Sequence, residues 1–101
     1  MNYVGDTFIR NYSVETETGV YTFEEGDVLK TAFIDNNGNT VIEKTVNLIA
    51  DDKDVNVIWE ADEMENLEAG TYILETEITT SNWRKTFQEK VKMTKDYIVG
   101  E

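Results

Sequence analysis

The stretch Asp35-Asn36-Asn37-Gly38-Asn39 places oxygen-bearing side chains at alternate positions, as a calcium-binding loop does at its start. Such a loop needs glycine at its sixth position and a bidentate glutamate at its twelfth. Those positions hold Thr40 and Val46. The stretch therefore reads as a hairpin turn, with Asn37-Gly38 supplying the positive φ angles that a tight turn requires. Asp51-Asp52-Lys53-Asp54 is equally rich in charge and reads as a solvated loop. Glu24-Glu25, and Glu63 with Glu65, have the composition of a glycosidase acid–base pair. With 21 acids in 101 residues, such neighbours arise by chance.

Histidine and cysteine are both absent. A nucleophilic triad would have no imidazole base, and structural zinc and iron–sulfur sites would lack their usual ligands. Ser13 and Ser81 lie outside any nucleophile elbow, and no glycine-rich phosphate-cradling motif occurs. No residue is assigned a catalytic, cofactor-binding or metal-binding role, and no enzymatic activity is expected. The remaining candidates for contact with a partner are Trp83 and its neighbour Arg84. Trp83 falls at a hairpin tip, where it serves a sugar ring as a stacking platform, anchors a neighbouring subunit, or closes the open end of the core.

Composition narrows the partners. Nine Lys and Arg against 21 Asp and Glu leave a net charge of −12. Nucleic acids and anionic membranes are recognised by clustered positive charge, so neither is an expected partner. Hydrophobic residues make up 40% of the chain, enough for a core, so the charge does not imply disorder. The length suits a single domain, residues 1–101. No apolar run exceeds three residues, as in Ala32-Phe33-Ile34, whereas a membrane helix needs about 20 and a signal-peptide core about 7. Neither segment is expected.

The elements that must position these residues are strands. Alternation marks Thr7 to Val14, with Phe8, Tyr12 and Val14 on one face and Arg10 interrupting it at a rim. Val20 to Phe23 is a short strand. Val28 to Asp35 is apolar on both faces, which favours a central place in a sheet. Thr40 to Leu48 returns from the hairpin with Ile42, Val46 and Leu48 on one side. Val55, Val57 and Trp59 share a face in the next strand, so Trp59 is assigned to the core. Asp62 to Gly70 is the one helical piece, with Asp62 as its cap and Met64 and Leu67 three apart. Thr71 to Thr79 and Thr86 to Thr94 form a second hairpin around Thr80-Ser81-Asn82-Trp83, and Tyr97-Ile98-Val99 forms an edge strand or tail. Asn11-Tyr12-Ser13 matches a glycosylation sequon but lies within a strand and carries no weight. About seven strands at a spacing near ten residues, with one short helical turn, predict an all-β antiparallel sandwich.

Three stretches carry a resemblance: Gly5-Asp6-Thr7-Phe8, then Leu67-Glu68-Ala69-Gly70-Thr71-Tyr72, then Trp83-Arg84-Lys85-Thr86-Phe87. Their order resembles the immunoglobulin-like N-terminal domain of phage baseplate upper proteins and related tail-associated proteins. The resemblance implies an immunoglobulin-like fold in which Gly70 permits tight entry into a strand. It also implies that Tyr72 packs in the core while its hydroxyl reaches the backbone. It brings no catalytic residues. The implied role is structural, in a tail or baseplate, with other phage proteins or further copies as partners; a carbohydrate-binding or adhesive module is the alternative. Family members carry a further receptor-binding or stalk region, and none follows Glu101 here, so a free-standing virion protein and an isolated domain are both open.

Overall fold

The computed structural model of the chain describes residues 2–3, 7–65 and 67–94. These residues form nine strands and one helical turn: β1 (Asn2–Tyr3), β2 (Phe8–Tyr12), β3 (Glu15–Thr16), β4 (Gly19–Val20), β5 (Val28–Ile34), β6 (Thr40–Asn47), β7 (Val55–Trp59), α1 (Ala61–Met64), β8 (Gly70–Thr79) and β9 (Arg84–Thr94). The protein is all-β. The larger sheet runs β1-β9-β8-β5-β6, antiparallel except where β1 lies parallel to β9. β2 and β7 pair antiparallel as a separate ribbon, and β3 and β4 form a minimal hairpin. The Tyr97–Val99 segment and the Gly5-Asp6 pair lie outside the described residues.

Strand β5, expected to be central, is flanked by β6 and β8. The turn after it forms as Asn37-Gly38 predicts. The Asp35 carboxylate accepts the amides of Asn37 and Asn39, both at 2.9 Å, and Gly38 adopts a φ of 84° that suits its missing Cβ. Two sequence assignments need correction. Val20 to Phe23 does not continue as a ladder beyond Val20; Phe23 instead exchanges backbone bonds with Asp51 and Asp52, which buries its ring. The helix begins two residues earlier than Asp62 as cap would place it. Glu60 is the N-cap in a reciprocal capping box with Glu63, and Asp62 falls in the first turn.

The inner face of the larger sheet meets the β2–β7 ribbon through aromatic rings. Phe8, Phe33 and Trp59 contact one another edge-to-face, each pair of centroids 5.4 Å apart. Phe8 and Trp59 are cross-strand partners in the ribbon, and Phe33 comes from β5, so the triad joins the two layers. Each such pair adds about 1 kcal/mol beyond the area it buries. The Trp59 indole N–H, wholly buried, has no hydrogen-bond partner among the described residues. Thr31 and Thr76 are also buried in this layer. They are cross-strand partners whose hydroxyls bond at 2.9 Å, and Thr76 donates onward to the Tyr12 hydroxyl at 2.8 Å. A buried hydroxyl costs little once it is partnered in this way.

Two cations clasp the layers from opposite sides. The Arg10 guanidinium lies 4.2 Å from the Phe8 ring centroid and grips Glu89 of β9 at 2.9 and 2.6 Å. The Lys44 ammonium of β6 donates to the Ile58 carbonyl of β7 at 2.6 Å and to Glu63 of α1 at 3.0 Å. The Arg10 hydrogen bond holds the Glu89 carboxyl below the usual carboxylate range. Glu63 is lowered first by the Glu60 backbone amide and then by Lys44. Folded values below the ordinary ~4.3 mean that these groups contribute full stability above that pH, and lose it as pH falls through the depressed values. Urea midpoints should therefore be level from about pH 7 to 5 and decline below about pH 4. Glu89→Gln should lower the neutral midpoint and flatten the acid slope; an unchanged slope would mean the clasp adds nothing.

Candidate functional site

The β8–β9 turn, which carries the candidate residues, is set by Thr80. Its hydroxyl accepts the amides of Asn82 at 3.2 Å and Trp83 at 3.1 Å, while its own amide donates to the Trp83 carbonyl at 2.9 Å. Trp83 is thereby held half-buried against Tyr21, with centroids 4.8 Å apart and planes at 75°. Tyr21 in turn meets Phe23 at 5.9 Å. Trp83 packs against the hydrophobic core, the contact that a cover over its open end would make.

Beneath that cover sits a buried carboxylate. Asp27 is 4% exposed and accepts the Tyr21 hydroxyl and the Glu24 amide, both at 2.9 Å. Burial, reinforced by the Asp27 hydrogen bond and charge, pushes the Tyr21 phenol up to about 12. At neutral pH the phenol is therefore a locked donor and no base. Arg84 belongs to different surroundings. Its side chain is exposed, with the Glu77 carboxylate 3.9 Å away. Adjacent in sequence, Trp83 and Arg84 do not form one surface.

The other candidates are dispersed. Glu24 and Glu25 are exposed at the turn before β5. Glu63 is occupied by the capping box and Lys44, so it is no free acid to pair with Glu65. The Asp35 carboxylate is taken up by its own turn. Among the described residues no group of three or more acidic side chains is placed to hold a metal ion. No helix among them is long and apolar enough to cross a membrane. Residues that the sequence did not single out lie at the strand edges: Ile9 and Ile58, cross-strand partners 53% and 41% exposed, and Val41 at 42%. Arg10 alone gave a signal, as the charge interrupting an apolar face.

No family model, curated protein or solved structure matched this chain.

Trp83→Ala should lower stability by about 2 kcal/mol, the scale of a half-buried aromatic truncation, read as a shift in denaturant midpoint. An unchanged midpoint would return Trp83 to the role of a free contact residue. At alkaline pH, Tyr21 favours the protonated folded state, so its contribution is complete below about pH 10 and lost as pH rises through about 12. Absorbance at 295 nm should show a late-titrating tyrosine that Tyr21→Phe removes.

Proposed function

We propose that this chain is a non-enzymatic, immunoglobulin-like module that acts as a structural component of a phage or prophage tail or baseplate. It is made in the bacterial cytoplasm and incorporated into the virion, where it holds together other structural proteins or further copies of itself. The observation that carries the reading is the Tyr72 corner within the strand order. Tyr72 is buried at the start of β8, and its hydroxyl donates to the Glu68 carbonyl at 2.7 Å and accepts the Glu68 amide at 3.2 Å. This is the behaviour implied for the Leu67-to-Tyr72 motif. In immunoglobulin-like domains a tyrosine near the start of strand F ties back to backbone a few residues upstream, in a sheet where G, F and C are neighbours. The order β9-β8-β5-β6 corresponds to G-F-C-C′, and the β2–β7 ribbon to the paired B and E strands.

The alternative, a carbohydrate-binding or adhesive module using Trp83 as a platform, fits the placement of that ring less well. Trp83 is engaged by Tyr21 rather than presented free.

Particles purified from a lysate of the encoding strain, probed with antibody to this chain, test the reading. The chain should co-sediment with tails at fixed stoichiometry and decorate one end in electron micrographs. Particles that assemble normally while the chain stays wholly in the soluble fraction would sink it.

A further inference from the structure

The strand edges of this fold are not treated alike. β1, at one end of the larger sheet, is two residues long. Each edge of the ribbon has a cation seated on it: Arg10 donates to the Ile9 carbonyl at 3.0 Å, and Lys44 to the Ile58 carbonyl at 2.6 Å. Charge placed on an edge is a common defence against pairing with another chain. β6 is the exception. It has eight residues, lies at the other end of the larger sheet, and has no proline in or near it.

The direction of its free backbone groups follows from the register. The Leu48 amide donates to the Asp27 carbonyl at 2.9 Å, and hydrogen-bonded pairs alternate along an antiparallel ladder. With Val28 opposite Asn47 and Ala32 opposite Glu43, the N–H and C=O of Glu43, Thr45 and Asn47 point away from β5. Among the described residues these groups have no other backbone partner. Their side chains are exposed too. Lys44, the one cation in the strand, is drawn to the opposite face by Ile58 and Glu63, which leaves the edge without its guard.

We propose that the β6 edge is a docking site for an extended basic–apolar strand of a different protein, which adds to the larger sheet as a further strand. Charge selects that partner. Glu43 stands at the middle of the edge, and Ala32 is in register with both Glu43 and Glu75. The small Ala32 side chain leaves a shallow depression of about 210 Å³, bordered by Glu43, Glu75 and Glu77 against the single cation Lys30. A lysine or arginine opposite Glu43 pairs with that carboxylate, on a face whose negative charge Glu75 and Glu77 extend. A second copy is a poorer fit. Two-fold pairing centred on Glu43 sets carboxylate against carboxylate, and any register brings together two chains of net charge −12. The proposal deepens the assembly reading by naming the edge and the partner's chemistry, and it does not require a virion.

The test uses capped synthetic peptides of about ten residues, alternating Val or Thr with Lys or Arg. Amide exchange and chemical shifts of the labelled protein are followed by NMR. The basic peptide should slow exchange at Glu43, Thr45 and Asn47 by about tenfold, with little change at the ribbon edges. Glu43→Lys should weaken binding about threefold, the scale of one exposed charge pair, and favour an acidic counterpart. Thr45→Pro should abolish binding; protection at Leu29 and Phe33 reports that both variants remain folded. A peptide N-methylated at alternate residues should not bind, since it cannot form the ladder. Equal binding by the methylated peptide would reduce the effect to diffuse charge attraction and overturn the proposal. Edge amides already protected in a protein that sediments as a dimer would overturn the choice of partner. Absence of the chain from phage particles would leave this result untouched, just as failure of the peptides would leave the virion reading untouched.

Discussion

The mutual edge-to-face contact of Phe8, Phe33 and Trp59 is the interaction on which the rest of the structure depends. A five-stranded sheet presents a wide apolar face, and the ribbon opposite it has only two strands. Small aliphatic side chains on so narrow a cover would leave much of that face wet. Three large rings, one from each of β2, β5 and β7, reach across the gap and fix the spacing of the layers. Tyr72 extends the cluster along the sheet, 6.2 Å from Phe33, and the Tyr21–Trp83 contact closes one end.

Around this centre, charge is placed so that the acidic excess does not work against the fold. Arg10 and Lys44 each reach from one layer to the other and end on a carboxylate, turning local attraction into cross-layer ties. The acids that remain are spread over turns and the outer face, where water screens them. Asp27 is the buried exception, and its carboxylate is held by hydrogen bonds: a phenol and a backbone amide converge on one of its oxygens.

Much of the fold is legible in the sequence because period-two alternation is strong in the long strands. The burial of Trp59 follows from it, as the β5–β6 hairpin follows from Asn37-Gly38 and the inner position of β5 from its two apolar faces. Two-residue strands such as β1 and β3 are too short to alternate, so the expected seven strands become nine. The helix start was obscured because glutamate is a weak capping residue and Asp62 a strong one; the Glu60–Glu63 reciprocity decides the matter only once backbone geometry exists. Thr31 and Thr76 look like interruptions of two apolar faces, and only their shared register makes them a pair. The candidate site was less legible. Arg10 and Glu89 are separated by 79 positions, and the guarding of one edge and exposure of another depend on where such distant partners meet. Trp83 was visible as a tryptophan without an assignment; Tyr21, which gives it one, lies in a segment that forms no ladder of its own.

The idle donor on Trp59 has a consequence of its own. The core takes the indole for its breadth and leaves the nitrogen's hydrogen, buried within it, with no acceptor among the described residues. That hydrogen can trade places with deuterium only when the layers part. Its disappearance from a spectrum is therefore a clock for separation of the two halves, built into the residue that joins them.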